Sequence, residues 1–217
     1  MKSHKPLRII ITAGPTREYI DPVRFISNRS TGHMGYAIAR VACKRKHTVM
    51  LYSGPTHLKT PAGVRRYNFE TALELNRMMR KAFPGVDAAI CTAAIGDYRV
   101  SPIKLKKLKK EKKIINLELR PNPDILKMMG KLKTREVLVG FALETDNLLQ
   151  NAQKKMLKKN LDFIVANQVT RAKEPFGPGR TTAVIIDQKS REECADITKA
   201  KLAGIILDKI EHICYIY

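Results

Sequence analysis

The sequence of 217 residues suits a single domain, because domains commonly hold roughly 100 to 200 residues and one α/β unit can reach about 250. Hydrophobic residues make up 44% of the chain and charged residues 28%, which excludes a globally disordered, collagen-like or coiled-coil protein. No apolar run approaches the ~20 residues that span a bilayer, and the basic start leads into a short β-branched run rather than a signal-peptide core. We therefore expect a cytoplasmic protein without a membrane partner.

The net charge is the most unusual feature of the composition: the chain has 41 Lys and Arg residues and 20 Asp and Glu residues, which gives +21. Such an excess points to polyanionic partners, and nucleic acid is the first class to consider. The sequence argues against nucleic acid, since aromatic residues are only 6%, Trp is absent, and no helix-turn-helix, RNP or zinc-finger spacing occurs. A general compositional bias toward Lys and Arg explains the charge equally well. The four cysteines lie far apart without a CxxC pair, so neither a disulfide framework nor a zinc site is expected.

Short β-branched runs alternate with helical periodicity along the chain. In chain order the patterns predict strand 7–12, helix 32–46, strand 48–53, helix 70–83, strand 87–94, a basic loop over about 99–113, strand 114–119, helix 122–132, strand 137–142, helix 146–159, strand 161–166, a Gly- and Pro-rich loop 173–180, strand 182–187 and a helix from about 195 to 212. This order predicts one α/β domain over residues 1–217, with its core at about 7–212. We expect a Rossmann-like, mostly parallel sheet with helices on both faces and ligands beyond the carboxyl ends of the strands.

A loop suited to phosphate lies between the first strand and the first helix. Gly14 follows the strand, and Ser30, Thr31 and Gly32 precede the helix. Backbone N–H groups at such a place can approach a phosphate, whose charge the helix dipole favours. An ordinary helix cap made by Ser30 or Thr31 is the alternative. Neither GxGxxG nor the Walker spacing GxxxxGK is present.

Charged residues follow later strands at positions where a nucleotide could be held. Asp97 comes after the third long strand and could accept hydrogen bonds from a ribose, or could be a plain turn carboxylate. Lys104 begins a lysine-rich run that could close over a triphosphate as a lid, or could be a solvated face. Lys155 and Lys159 share one helix face, but Lys154 and Lys158 form a parallel pair, and periodicity does not choose between the two pairs.

Taken together, these segments resemble a known family. ITAGPTRE, DPVRFISNRSTGHMG, AAIGDYRV, KLKK, NPDIL, GFALETDN and KKNLDFIVAN stand in an order similar to that of the bacterial phosphopantothenoylcysteine synthetases (phosphopantothenate–cysteine ligases) of coenzyme A biosynthesis. The resemblance implies a homodimer that activates the carboxylate of 4'-phosphopantothenate with CTP and Mg²⁺, then couples the acyl-cytidylate to L-cysteine. The products are 4'-phosphopantothenoylcysteine, CMP and pyrophosphate. Many members are fused to a flavin-dependent decarboxylase, which this sequence does not include, so it looks like a stand-alone synthetase or an excised domain. The decarboxylase is expected as a separate partner.

The same resemblance assigns roles residue by residue. It implies catalytic roles for Asn28, on the acyl-cytidylate, and for Lys104, on the triphosphate. The residues that it places around the nucleotide are Cys91, Thr92, Ala93, Asp97, Lys104, Pro123, Asp124, Ile125, Leu126, Phe141, Lys155 and Lys159. Metal ligands are not implied. Gly96 and Leu143 stand where the family usually has Ala, which removes no functional group.

Three other interpretations stay open at the level of sequence. The first is an ATP-using version of the same ligase, since base discrimination would rest largely on backbone groups. The second is an NAD(P)-binding oxidoreductase, suggested by the first strand–helix–strand unit, although no acidic residue stands cleanly at the end of the second long strand. The third is a basic nucleic-acid-binding protein, suggested by the charge of +21.

Overall fold

A computed structural model describes residues 5–110, 114–168 and 176–216. Its strands are β1 (Arg8–Ala13), β2 (Arg17–Tyr19), β3 (Phe25–Ser27), β4 (Thr48–Ser53), β5 (Arg65–Asn68), β6 (Ala88–Cys91), β7 (Tyr98–Val100), β8 (Leu119–Pro121), β9 (Val137–Glu144), β10 (Phe163–Gln168), β11 (Thr181–Asp187) and β12 (Arg191–Ile197). Its helices are α1 (His33–Lys44), α2 (Ala72–Ala82), α3 (Ile125–Leu132), α4 (Leu148–Lys158) and α5 (Lys199–Ile216).

Eight strands form one sheet in the order β12-β11-β10-β9-β6-β1-β4-β5. The six strands from β10 to β5 are parallel, whereas β11 and β12 add to the β10 edge in antiparallel fashion. From β1 the chain first builds outward through β4 and β5, then returns to build the other half from β6. The switch point therefore lies between β1 and β6, where open α/β sheets bind their ligands. The predicted α/β architecture is confirmed.

The central strands are apolar on both faces because helices cover both faces. In β1, Ile9 and Ile11 point into the core beneath α1 and α5, whereas Ile10 points into the core beneath α2, α3 and α4. All three side chains have no exposed surface. This arrangement follows from the two-residue period of a strand and explains the continuous β-branched run in the sequence.

Two sequence predictions are wrong. The strand expected at 114–119 is absent over 114–118, whose side chains are exposed, and β8 starts only at Leu119. The helix expected from about 195 starts at Lys199, because β12 occupies the preceding residues and pairs with β11 along the sheet edge. Of the two predicted loops, 111–113 and 173–175 lie outside the described residues.

Two small hairpins, β2–β3 and β7–β8, project from the sheet and were not predicted. Each of their strands has three residues, which is too short to show a two-residue period in sequence. Where the chain is described, no helix combines the length and the apolar character that crossing a bilayer requires.

Candidate active site at the switch point of the sheet

The floor of the site consists of two chain segments that continue side by side past the ends of β1 and β6. The hydroxyl of Thr92 donates to the Thr12 carbonyl at 2.7 Å, and the Thr12 hydroxyl accepts from the Ala93 amide at 3.2 Å. Farther along, the Ala94 amide donates to the Gly14 carbonyl at 2.9 Å. These bonds satisfy the backbone beyond the regular strands and fix the floor at the switch point.

Glycines bring the start of α1 against this floor. A Cβ added to Gly35 would lie 2.5 Å from the Cβ of Ala13 and 2.6 Å from the Thr92 hydroxyl, so only glycine permits this approach. Gly32, which precedes the helix, has φ +81°, a left-handed conformation that glycine adopts without strain. No side chain caps α1, so neither Ser30 nor Thr31 fills the role of an ordinary helix cap. The free N–H groups of the first turn are thus presented to the space above the floor.

A cleft of about 560 Å³ opens above the floor. Residues predicted from separate motifs line it: Asn28, Ser30, Thr31, Gly32, Thr92, Ala93, Asp97, Phe141 and Lys155. The remaining predicted residues are outside its lining: Gly14, Cys91, Lys104, Pro123, Asp124, Ile125, Leu126 and Lys159. The structure therefore brings the predicted phosphate loop and part of the predicted nucleotide site to one place.

Lys155 points into the cleft from α4, and its Nζ donates to the Phe141 carbonyl at 2.9 Å. Burial lowers the pKa of the Lys155 ammonium, and the nearby charge of Lys159 lowers it further. Lys159 pairs with the Asp124 carboxylate at 3.0 Å. Lys154 and Lys158 are exposed, whereas Lys155 lines the cleft and Lys159 pairs with Asp124 outside the lining.

Asp124 and its neighbours form the wall beside Lys159. The Asp124 side chain caps α3 by accepting from the Lys127 amide at 2.9 Å. Burial opposes ionisation of this carboxyl, but the Lys127 amide and the Lys159 ammonium outweigh it and hold its pKa below the usual range. Asp124 is therefore a helix cap and an ion-pair partner whose charge sets the position of Lys159.

Cys91 and Ile125 lie beneath the lining residues rather than in it. The Cys91 thiol contacts the Met129 sulfur at 3.8 Å, and burial raises the pKa of the thiol to about 12. Ile125 is a core residue, 3% exposed. Pro123 and Leu126 are half-buried, and Leu126 packs against the edge of the same core. A protonated thiol in an apolar setting supplies shape but no nucleophile.

Asp97 is exposed at the rim, where its carbonyl accepts from the Asn122 amide at 2.8 Å. The Asn122 side chain in turn donates to the Gly96 carbonyl at 2.8 Å. These two hydrogen bonds from Asn122 fix the turn before β7, and Asp97 lines the cleft from that turn. Asp97 is the one carboxylate among the described residues that line the cleft, and no cluster of three or more potential metal ligands occurs in the described part of the chain.

Lys104 starts an exposed segment that is tied to the β2–β3 hairpin rather than to the cleft. Its backbone amide donates to the Ile20 carbonyl at 3.0 Å. The fully buried Asp21 side chain accepts from the Leu108 amide at 3.1 Å and forms an ion pair with Arg24, whose guanidinium also donates to the Leu108 carbonyl at 2.9 Å. The lysine-rich segment is thus anchored at Leu108, while the Lys104 side chain extends into solvent.

The far wall of the cleft contains residues that the sequence analysis missed. They are Arg29, His33, Asn167, Phe176, Gly177, Thr181 and Lys199. Asn167 at the end of β10 donates to the Thr181 hydroxyl at 2.9 Å, which joins the ends of β10 and β11. The position of Asn167 at a strand end could have indicated this wall. Lys199 carried no such indication, because the start of α5 was misplaced.

The family described as DNA/pantothenate metabolism flavoprotein C-terminal domain matches residues 4–214. The chain belongs to this family. Coenzyme A biosynthesis bifunctional protein CoaBC of Escherichia coli (strain K12) is 40% identical over 210 residues, which cover 95% of this chain and 52% of that protein. The protein of the same name from Bacillus subtilis (strain 168) is 38% identical over 204 residues, 93% of this chain and 50% of that protein.

A solved crystal structure of the C-terminal domain of Coenzyme A biosynthesis bifunctional protein CoaBC has the same fold. Its TM-score is 0.83 at 36% identity, and the match covers 100% of both chains. Our chain therefore spans about half the length of the curated relatives it matches, in the region that corresponds to their C-terminal domain. The family that the sequence motifs indicated is confirmed, as is the family fold.

Proposed function

We propose that the chain is a phosphopantothenate–cysteine ligase that joins 4'-phosphopantothenate and L-cysteine, with CTP as the activating nucleotide. The observation that carries this proposal is the cleft itself: it lies at the switch point of a fold shared with the C-terminal domain of CoaBC, and residues from separate family-like motifs line it. The names of the relatives place them in coenzyme A biosynthesis, which fits this reaction.

The proposed reaction has two steps. A carboxylate oxygen of 4'-phosphopantothenate attacks the α-phosphorus of CTP, the bond to the β-phosphate oxygen breaks, and pyrophosphate leaves with its electron pair. The cysteine amine then attacks the acyl carbon and CMP leaves. Such chemistry needs positioning and positive charge around the phosphates more than a strong base. The half-buried ammonium of Lys155 and the free N–H groups at the start of α1 supply both at this cleft.

The remaining predicted residues extend this assignment. In the proposed complex, Asn28 hydrogen-bonds the acyl group or the acyl-cytidylate through its amide. Phe141 and Ala93 lie along the cytidine. Lys104 reaches the triphosphate from the anchored segment, and Lys159 reinforces the positive charge beside Lys155. Asn28 is exposed on the loop before α1 and lines the cleft, so its side chain is accessible to the bound acyl substrate.

Mg²⁺ fits this cleft as a companion of the nucleotide. Magnesium usually binds through one or two carboxylates together with substrate phosphates. Among the described residues of the cleft, Asp97 supplies the carboxylate. It would hold either the ion beside the triphosphate or the hydroxyl groups of the ribose. When bound, the ion would neutralise charge on the phosphates.

The decisive experiment measures pyrophosphate release from CTP, and separately from ATP, with 4'-phosphopantothenate and Mg²⁺, with and without cysteine. We expect release with CTP and a cysteine-dependent product of the mass of 4'-phosphopantothenoylcysteine. A larger kcat/KM with ATP than with CTP would mean that ATP, and not CTP, is the activating nucleotide. If folded protein releases pyrophosphate with neither nucleotide, the ligase proposal is wrong.

We also propose the assembly and setting that the family resemblance implies: a cytoplasmic homodimer that passes its product to a separate flavin-dependent decarboxylase. The homodimer is supported by exposed apolar side chains on the segment that joins β7 to β8 and in β8 itself. Ile103, Leu105, Ile114, Ile115 and Leu119 are each at least 46% exposed. Exposed large apolar residues that occur together in this way in the sequence are typical of a segment that contacts another chain.

A further inference from the structure

Thr16 lies in the short connection between β1 and β2, yet only 1% of its surface is exposed. Its amide donates to the Ala94 carbonyl at 3.1 Å, its carbonyl accepts from the Ser27 hydroxyl at 2.7 Å, and its hydroxyl accepts from the Gly96 amide at 2.9 Å. Thr16 is outside the lining of the cleft. It can therefore act on a reaction in the cleft only through the segments that it holds.

The hydrogen bonds of Thr16 continue the parallel pairing of β1 and β6 beyond the ends of both strands. In this continuation the Ala94 amide donates to the Gly14 carbonyl at 2.9 Å. The even spacing of a parallel ladder would next make the Gly96 amide donate to the Thr16 carbonyl. The Gly96 amide donates to the Thr16 hydroxyl instead, and the Thr16 carbonyl accepts from Ser27. The side chain of Thr16 thus replaces its own carbonyl in the ladder and leaves that carbonyl to a second loop.

The two loops that Thr16 holds carry residues of the candidate site. Gly96 directly precedes Asp97, which lines the cleft and which the proposed function assigns to the nucleotide or its ion. Ser27 directly precedes Asn28, which lines the cleft and which the proposed function assigns to the acyl group. Thr16 is therefore the shared anchor of a nucleotide loop and an acyl loop.

We propose that Thr16 is a positioning residue that fixes the Asn28 loop relative to the Asp97 loop, and so sets the acyl substrate against the nucleotide. This inference rests on the proposed ligase function, in which a carboxylate oxygen must reach the α-phosphorus. Alignment of two reactants supplies much of the rate in such a step, and a misplacement of about 1 Å can cost about a hundredfold. A hydroxyl is required at residue 16, because it can accept the Gly96 amide while the carbonyl accepts from Ser27.

The experiment measures pyrophosphate release with varied CTP and varied 4'-phosphopantothenate. Thr16→Val keeps the shape of the side chain but removes the acceptor of the Gly96 amide, so the KM for CTP should rise about tenfold. Ser27→Ala releases the other loop, so the KM for 4'-phosphopantothenate should rise about fivefold. In each variant the KM for the other substrate should stay within about twofold, because its own loop keeps its hydrogen bond. Thr16→Ser retains the hydroxyl and should restore the KM for CTP to within about threefold of wild type.

The value of kcat tests whether the two loops depend on one anchor. Each single substitution should lower kcat about tenfold, because either one frees one loop relative to the other. The double variant Thr16→Val/Ser27→Ala should be less than about threefold slower than the single variants, since their alignment is already lost. Independent effects would multiply to about a hundredfold. A hundredfold loss in the double variant would therefore show that the loops act separately, and the proposal would be wrong.

Ser53→Ala is the control for loss of a buried hydroxyl. Ser53 has no exposed surface, its hydroxyl lies 2.9 Å from the Tyr36 hydroxyl, and it is outside the lining of the cleft. This substitution should lower the Tm and leave kcat and both KM values within about twofold of wild type. If Thr16→Val likewise lowers only the Tm, Thr16 is a structural residue and the proposal is wrong.

Calorimetry separates this proposal from the ligase proposal, because binding does not need turnover. In a folded protein without ligase activity, weaker binding of CTP by Thr16→Val and of 4'-phosphopantothenate by Ser27→Ala would refute the ligase and support the anchor. Wild-type binding of both compounds by both variants, in a protein without ligase activity, would refute both proposals. Active wild type with unchanged KM values and unchanged kcat in Thr16→Val would support the ligase and refute the anchor.

Discussion

At the scale of single residues, the cleft is defined by which lysines point inward rather than into solvent. Lys155 lies on the side of α4 that also carries the buried Ala152 and Met156, so packing of α4 on the sheet directs it inward. Helical periodicity gives Lys154 and Lys158 the same spacing, so sequence alone offers two pairs of lysines. The family resemblance indicated Lys155 and Lys159, and the packing of α4 directs Lys155 toward the cleft. Packing also selects Lys199, for which neither periodicity nor the resemblance gave an indication.

Replacing Lys155 with Met should raise the KM for CTP about tenfold or more, because a charge-assisted hydrogen bond to a phosphate is lost from a partly buried site. The free energy of unfolding should change little, since Met retains the apolar stem and removes a buried charge. Steady-state pyrophosphate release with varied CTP measures the effect. Lys154→Met is the matched control, and equal effects of the two substitutions would contradict the assignment.

At the scale of elements, buried strands and amphipathic helices were predictable, whereas exposed strands and three-residue hairpin strands were not. β4 was predicted to the residue, and β1, β6, β9, β10 and β11 to within a few residues, because buried apolar runs bounded by turn residues are informative. The strand predicted over 114–119 is wrong because the apolar residues of this segment, which resemble those of a buried strand in sequence, are exposed in the structure. β12 is an edge strand with mostly exposed side chains, so it lacks the pattern of a core strand.

The approach of α1 to the sheet depends on Gly35. Gly35→Ala should lower the free energy of unfolding by about 1 to 3 kcal/mol, because the new methyl group meets the Ala13 Cβ and the Thr92 hydroxyl in a packed core. Urea unfolding measures this change. Gly204→Ala in α5 is the control: its Cβ would meet only Arg45 at 3.6 Å, so it should be neutral or stabilise by up to about 1 kcal/mol. Equal stabilities of the two variants would contradict the role of Gly35.

The lysine-rich segment should depend on Asp21 for its position. Both carboxylate oxygens accept N–H groups, from Val23 and Arg24 on one side and from Leu108 on the other. In Asp21→Asn an amide NH₂ must face one of these donors, so we expect the segment around Leu108 to detach and trypsin to cleave it about tenfold faster. Asp208→Asn, which removes an exposed partner of Arg45, is the control and should leave the cleavage rate unchanged.

The same anchor predicts an acid dependence. The Arg24 guanidinium holds the pKa of the Asp21 carboxyl below its usual range, so the carboxylate is more stable in the folded protein than in the unfolded chain. Its contribution is complete above the unfolded pKa of about 3.9 and is lost as the pH falls through the folded value. The Tm of the wild type should therefore decline from pH 5 to pH 3 more steeply than that of Asp21→Asn. Parallel declines would contradict the prediction.

At the scale of the whole molecule, the exposed apolar group near β7–β8 should mediate the proposed homodimer. Ile114 is 77% exposed, and Ile114→Asp would place a charge in the interface. We expect this variant to sediment as a monomer at concentrations where the wild type is a dimer, because an unpaired charge is costly to bury. Leu157→Asp on α4, which replaces a side chain 62% exposed, is the control. A wild-type protein that sediments as a monomer would refute the homodimer.

The cleft draws its walls from both ends of the chain: the first turn of α1 supplies one, and the start of α5, more than 150 residues later, supplies another. During synthesis on the ribosome, β1, β6 and α4 can emerge and begin to pack long before Lys199 exists. A nascent chain therefore has its nucleotide wall before it has the opposite wall. Because α5 also buries Leu202, Ile206 and Ile210 in the core beneath α1, a chain that stops before Lys199 lacks both part of the cleft wall and part of the core that holds the cleft in place.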